Sequence, residues 1–170
     1  MAINLSDRNL LDPSLSNTIR NVIADNQVPA KNITLEVTEG MMMRQPERAL
    51  GILSQLHDQG LGVSIDDYGT GYSSLAYLRQ LPVHELKIDQ SFIRTMLNNK
   101  DDATIVRSTI ELVHNLWLRV VAEGVEDMAT WVAPKELDCD LIQGYFVSCP
   151  VSAVHFEAWY RNHGGRFIPE

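Results

Sequence analysis

Oxygen-bearing side chains recur at the ends of short apolar runs along this 170-residue chain. The run at positions 63–65 ends in Asp66 and Asp67, and the run at 120–122 ends in Glu123. The full set of such polar residues is Asn4, Glu36, Asp66, Asp67, Lys87, Glu123 and Gln143. Carboxylate and amide oxygens are the ligands that Mg²⁺ and Mn²⁺ prefer, and Ca²⁺ could bind in their place.

This set of residue types predicts metal-assisted hydrolysis. Four carboxylates that lie close together cannot all stay ionised without cations. Two divalent cations would clamp the attacking and leaving oxygens of a phosphodiester, with Asp66 between them and Lys87 beside a water or a phosphate oxygen. Zinc is disfavoured because the set lacks nitrogen and thiolate ligands. Taken singly, each residue has a plainer explanation, such as a loop ion pair or a turn cap, so only the joint pattern indicates a site.

The elements that must position these residues form a repeating unit of strand, turn and amphipathic helix. The predicted strands are Met1–Ser6, Ile33–Glu39, Gly62–Asp67, Glu85–Asp89, Arg119–Glu123 and Leu141–Phe146. Strands that alternate with helices predict a parallel sheet, either doubly wound or curled into a (β/α) barrel. The polar strand ends favour the barrel, because in that fold the carboxyl ends of all strands meet at one mouth.

Composition sets broad limits on the function. A chain with 45% hydrophobic and 21% charged residues is typical of one globular domain. The formal net charge of −8 argues against a DNA or RNA partner held by a basic surface. The apolar runs are too short to span a bilayer and no signal peptide precedes the first strand, so we expect a cytoplasmic protein.

Six short motifs occur in a fixed order along the chain. They are Asn4-Leu5-Ser6, Leu35–Glu39, Asp66–Leu75, Lys87–Phe92, Ala122–Glu126 and Gln143-Gly144-Tyr145. In type and order these motifs resemble the EAL family of cyclic di-GMP phosphodiesterases, from Met1 to about Pro150. The resemblance implies a TIM-like (β/α) barrel that hydrolyses cyclic di-GMP to pGpG with Mg²⁺ or Mn²⁺ at two sites, and at which Ca²⁺ binds without supporting turnover.

The resemblance also implies residue roles. The metal ligands would be Asn4, Glu36, Asp66, Asp67 and Glu123. The catalytic residues would be Lys87, Glu123, Glu126 and Gln143. Glu39 would stabilise the loop at 67–74, which in the family couples metal binding to dimer formation.

The chain departs from the family pattern in one large respect. The family barrel has two further strands before the one that resembles the first strand here, and the second carries a ligating glutamate in the sequence Glu-Ala-Leu. No Glu-Ala-Leu occurs in this chain, and a complete barrel typically takes about 250 residues. We therefore expect residues 1–161 to form about six of eight strand–helix units, followed by a tail at 162–170.

That departure changes the expected activity and assembly. Loss of one acidic ligand predicts a weakened first metal site and impaired hydrolysis. Two open sheet edges predict a homodimer or a strand-swapped oligomer. Two other functions stay open, namely a cyclic di-GMP receptor without activity and a protein-interaction module.

Overall fold

The computed structural model describes residues 1–71 and 75–162 of the chain. Six parallel strands form one sheet in the order β1-β2-β3-β4-β5-β6, so each strand pairs with its neighbours in sequence. The strands are β1 (Ala2–Asn4), β2 (Thr34–Thr38), β3 (Gly62–Tyr68), β4 (Glu85–Ile88), β5 (Arg119–Ala122) and β6 (Leu141–Ile142). The sheet curls into part of a TIM-like barrel, which confirms the predicted fold class.

Helices connect the strands. They are α1 (Asp7–Leu10), α2 (Leu15–Asp25), α3 (Glu39–Arg44), α4 (Pro46–Asp58), α5 (Leu75–Leu78), α6 (Gln90–Thr95), α7 (Lys100–Asn115), α8 (Met128–Glu136) and α9 (Ala153–Asn162). A 3₁₀ turn at Ala30–Asn32 precedes β2. The short helices α1, α3 and α6 were not predicted, because each follows a strand too closely to show a full helical period.

Local sequence explains where the helices begin. Pro46 occupies the first turn of α4, where its missing N–H costs nothing. The side chains of Asp89, Asn99 and Asp127 each accept a backbone hydrogen bond and so cap α6, α7 and α8. Among these caps, Asp89 starts α6 directly after the carboxyl end of β4.

The main core lies between the sheet and its helices. Along β2, β3 and β4 the residues Leu35, Val63, Ile65 and Leu86 are all at most 1% exposed. Because side chains alternate along a strand, the residues between them face the opposite, inner side of the curled sheet. The inner side therefore receives polar groups such as Glu36, which is also buried.

The sixth strand is much shorter than the predicted Leu141–Phe146. After Ile142 the chain leaves the ladder and pairs with the loop that follows β5, since Val125 donates to the Gln143 carbonyl at 3.2 Å and Phe146 donates to the Val125 carbonyl at 3.0 Å. A Cβ on Gly144 would lie 2.0 Å from the Val125 carbonyl oxygen, so this close approach requires glycine.

Two further predictions concern the C-terminal tail and membrane-spanning segments. The expected tail at 162–170 lies outside the described residues except for Asn162, which ends α9. Among the helices of the described residues, none is both long enough and apolar enough to cross a membrane.

Candidate functional site

The strand register brings the predicted polar residues to one end of the sheet. Asn4 on β1 is the ladder partner of Glu36 on β2, and Thr38 on β2 is the partner of Asp66 on β3. Because all six strands are parallel, their carboxyl ends lie on the same rim. Glu123 continues this rim directly after β5, where its N–H donates to the Ile88 carbonyl at 3.3 Å.

Lys87 is the centre of this arrangement. Its Nζ lies 3.1 Å from Glu36 Oε1, 3.2 Å from Asp66 Oδ1 and 2.6 Å from Glu123 Oε1. The lysine is 3% exposed and Glu36 is 7% exposed. A buried ammonium among three carboxylates compensates part of their negative charge, which is costly to hold away from water. Lys87 thus has a structural role, charge compensation, in addition to its predicted role beside a water or a phosphate oxygen.

A candidate metal centre lies next to Lys87. Carboxylate oxygens of Asp66, Asp67 and Glu123 all lie within 4.8 Å of one another. Consecutive strand residues normally point to opposite faces. Asp67 joins Asp66 because its φ is +55° and because the β3–β4 register shifts between Ile65 and Tyr68. Aspartate is among the residues that tolerate a left-handed backbone best.

The shared environment perturbs the acid–base behaviour of these groups. Burial raises the pKa of Glu123 to about 7, although the hydrogen bond and charge of Lys87 oppose this shift. Burial also raises the pKa of Asp67, with the nearby charge of Asp66 adding to the effect. Burial alone would lower the pKa of Lys87, but its hydrogen bond and ion pair with Glu123 outweigh burial and raise it. The lysine therefore stays charged at neutral pH.

Glu39 anchors the loop that follows β3. Its carboxylate accepts hydrogen bonds from the backbone N–H groups of Gly69 at 3.1 Å and Gly71 at 3.3 Å. The side chain is buried at the start of α3, 2% exposed. This geometry supports the predicted loop-stabilising role for the part of the loop at 67–71, while its residues 72–74 lie outside the described chain.

A cavity of about 280 Å³ opens beside the carboxylates. Its walls come from β3, α6 and the loops after β5 and β6, and are formed by Asp67, Asp89, Gln90, Arg94, Glu123, Gly124, Glu126, Gln143, Gly144 and Tyr145. Gly124 has a φ of +68°, and a Cβ there would lie 2.4 Å from the Gln90 Cβ. Glycine at 124 therefore allows α6 to pack against this wall.

The structure brings together most of the predicted residues. Glu36, Asp66, Lys87 and Glu123 share one set of ion pairs, and Asp67 joins the carboxylate cluster. Glu126 and Gln143 lie on the adjoining cavity wall. Asn4 is the ladder partner of Glu36, but it is exposed and also lines an apolar groove beside β1.

Sequence reasoning did not assign six residues of the cavity wall to the site, namely Asp89, Gln90, Arg94, Gly124, Gly144 and Tyr145. All of these except Arg94 fall within the motifs already quoted, so their proximity to the site had a signal in the sequence. Arg94 lies on α6, six residues after β4 ends at Ile88, and no strand-end pattern points to it.

The residues present fit a hard divalent cation. Asp66, Asp67 and Glu123 offer only carboxylate oxygens at mutually close positions, as Mg²⁺, Mn²⁺ and Ca²⁺ require. Such a cation would also offset the repulsion from Asp66, which adds to the effect of burial in raising the pKa of Asp67.

Comparisons with known proteins agree with this geometry. The EAL domain family matches residues 1–150. The bifunctional diguanylate cyclase/cyclic di-GMP phosphodiesterase MucR of Pseudomonas aeruginosa is 42% identical over 153 residues, covering 90% of this chain and 22% of MucR. The chain thus spans about a fifth of the length of the curated relatives that it matches.

Solved structures extend the likeness to the fold. The MucR phosphodiesterase in complex with c-di-GMP superposes with a TM-score of 0.89 at 41% identity, covering 91% of this chain and 63% of that one. The calcium and cyclic di-GMP complex of Klebsiella pneumoniae BlrP1 superposes with a TM-score of 0.82 at 28% identity, covering 88% of this chain and 38% of that one. Because the family match extends over most of the residues, we conclude that this chain belongs to the EAL domain family.

Proposed function

We propose that this chain binds cyclic di-GMP and hydrolyses it to linear pGpG with the help of Mg²⁺ or Mn²⁺, at a reduced rate. The observation that carries the proposal is the group formed by Asp66, Asp67 and Glu123, whose carboxylate oxygens converge within 4.8 Å beside a cavity of about 280 Å³. MucR, 42% identical over 153 residues, carries the activity in its name.

The proposed reaction needs no covalent intermediate. Water adds to one phosphorus, the bond from that phosphorus to the 3′-oxygen breaks, and the 3′-oxygen takes up a proton. Asp66, Asp67 and Glu123, with Glu36 and Asn4 as further proposed ligands, would hold the divalent cations, which would supply positive charge at the phosphate. Lys87, held among Glu36, Asp66 and Glu123, offsets part of their negative charge beside the phosphate.

The remaining predicted residues have supporting roles in this proposal. Glu126 and Gln143 contact the nucleotide from the adjoining wall of the cavity. Glu39 holds the loop after β3 in place through its two backbone hydrogen bonds. A fixed loop keeps Asp67 at the cluster, because Thr70 donates through its hydroxyl to the Asp67 carbonyl at 2.8 Å.

The proposal is tested by incubating the 170-residue chain with cyclic di-GMP and Mg²⁺ or Mn²⁺ and quantifying pGpG by anion-exchange chromatography. We expect pGpG with either cation, none with Ca²⁺ or after chelation, and a turnover at least tenfold below that of MucR. Asp66→Asn and Asp67→Asn should each abolish product. Asp58→Asn, at the exposed end of α4, is the matched control and should not. Failure to bind cyclic di-GMP in Ca²⁺ would contradict the proposal.

A cyclic di-GMP receptor without activity is the alternative. It is favoured by Lys87, whose ammonium already bridges three carboxylates. Calorimetry decides between the two, since a receptor would bind cyclic di-GMP but release no pGpG with Mg²⁺ or Mn²⁺. A protein-interaction module would show neither binding nor turnover.

Homodimer formation stays a prediction. In the described chain β1 pairs with β2 on one side only, and an apolar groove of about 470 Å³ runs along it between Ile3, Ile19 and Val22. Ile3 and Val22 are 40% and 54% exposed. Light scattering should give twice the 19.1 kDa chain mass, and Val22→Asp should shift the protein toward monomer; a monomeric parent chain would contradict the prediction.

A further inference from the structure

The charges that line the cavity are unevenly distributed. Four of its lining residues are acidic, namely Asp67, Asp89, Glu123 and Glu126. Arg94 is the single cationic side chain among the described residues of the lining. Lys87 is buried and is already engaged by the carboxylates of Glu36, Asp66 and Glu123. A ligand at the outer end of the cavity therefore meets Arg94 and not Lys87.

Arg94 and Glu126 form an ion pair at that outer end. The Nη2 of Arg94 donates to Oε1 of Glu126, and the side chains are 47% and 48% exposed. A half-exposed ion pair contributes little to stability. Both groups keep unused hydrogen-bonding capacity, because a guanidinium has five N–H donors and a carboxylate has two acceptor oxygens.

A donor next to an acceptor matches one edge of guanine. Guanine presents the O6 acceptor beside its N1–H and N2–H donors, so Arg94 can donate to O6 while Glu126 accepts from the two N–H groups. Adenine presents the reverse order, with an amino donor beside the N1 acceptor, and would face both groups unfavourably. A phosphate only accepts hydrogen bonds, so Glu126 would repel it.

An aromatic ring lies on the same cavity wall. Tyr145 follows Gly144 in the loop after β6 and is 63% exposed. Exposed aromatic rings beside polar groups commonly stack on nucleobases. A stacking surface together with a donor–acceptor pair is a feature of base recognition.

We propose that Arg94, paired with Glu126, is a specificity-determining residue that recognises one guanine of the cyclic dinucleotide. The inference rests on the proposed function, since it assigns a subsite to the same ligand. Arg94 contacts the base. It also orients the Glu126 carboxylate so that this carboxylate accepts hydrogen bonds from the same base. The cavity then discriminates guanine from adenine dinucleotides at a point away from the metal cluster.

The test measures binding of cyclic di-GMP and cyclic di-AMP by calorimetry in Ca²⁺. The parent chain should prefer cyclic di-GMP. Arg94→Gln should weaken cyclic di-GMP binding by roughly 10- to 100-fold, the range for one lost base contact, with cyclic di-AMP affinity and Mn²⁺ affinity unchanged. Arg94→Lys should restore part of the preference. Arg119→Gln removes an exposed arginine paired with Glu85 outside the cavity and is the matched control.

A charge-swapped variant separates recognition from structure. Arg94→Glu combined with Glu126→Arg keeps an ion pair but reverses donor and acceptor, so it should lose the guanine preference while unfolding at the parent urea concentration. Unchanged cyclic di-GMP affinity in Arg94→Gln or in the swapped variant would overturn this inference alone. A parent chain that binds no cyclic di-GMP would overturn the proposed function and this inference together.

Discussion

Replacing Lys87 with methionine removes a buried charge while keeping the length of the side chain. In the parent chain the Lys87 Nζ lies within 3.2 Å of oxygens from Glu36, Asp66 and Glu123. Without the ammonium these carboxylates are buried and uncompensated. Removing one partner of a buried ion pair typically costs about 3–5 kcal/mol, so we expect a loss of that order at pH 7 without divalent cations.

Protonation of the buried carboxylates limits this loss of stability and sets its pH dependence. At pH 7, protonating a carboxyl with an ordinary pKa of 4.5 costs about 3.4 kcal/mol. Burial already raises the pKa of Glu123 to about 7, and loss of Lys87 raises it further. The folded variant then binds more protons than the folded parent. The difference in free energy of unfolding between the parent and Lys87→Met therefore grows as pH rises and shrinks as pH falls, by up to about 1.4 kcal/mol per pH unit for one proton.

Urea unfolding, followed by circular dichroism at pH 5, 6 and 7, measures this difference in free energy of unfolding. Arg119→Met is the control, because the Arg119 side chain is 60% exposed and its pair with Glu85 lies outside the Lys87 network, so it should cost less than Lys87→Met. Mn²⁺ should stabilise Lys87→Met more than it stabilises the parent, since the cation replaces the missing charge. Equal stability of parent and Lys87→Met at pH 7 would refute the assignment of Lys87 as the neutralising charge.

Three further predictions concern other parts of the chain. Glu39→Ala removes the acceptor for two loop N–H groups and should lower the free energy of unfolding by about 1–3 kcal/mol; an unchanged urea midpoint would contradict the anchoring role. Trp117 is 94% exposed with a φ of +62°, so Trp117→Gly should raise stability by about 1 kcal/mol in urea unfolding, whereas Trp117→Ala should not. Burial raises the pKa of Cys139 to about 11. Iodoacetamide at pH 8 should therefore alkylate the exposed Cys149 before Cys139, as followed by mass spectrometry. Faster labelling of Cys139 would argue against its burial.

Periodicity predicted the order of the strands and of the longer helices, because alternating buried strands and amphipathic helices leave a clear signal. The predicted strand Glu85–Asp89 and the observed strand Glu85–Ile88 differ by a single residue. The sixth strand was overestimated because its apolar residues continue past Ile142. Those residues pair with the loop at Val125, a tertiary contact that no local pattern encodes.

The site residues also differ in how far the sequence predicts their positions. Glu36, Lys87 and Glu123 were predictable because parallel strands carry their carboxyl ends to a common rim. The convergence of Asp66 and Asp67 was not derivable from alternation, which places neighbours on opposite faces. It depends on the irregular β3–β4 register and on the backbone of Asp67, both of which arise only in the assembled sheet.

The contacts of Lys87 join four successive segments of the sheet, since its partners come from β2, from β3 and from the residue after β5. A cation that drew Asp66 and Glu123 toward itself would compete with Lys87 for these cross-strand contacts. Curvature of the sheet and occupancy of the cluster would then be linked, and such a linkage is reciprocal. A partner whose binding depends on that curvature would alter cation affinity by the same factor by which the cation alters the affinity for that partner.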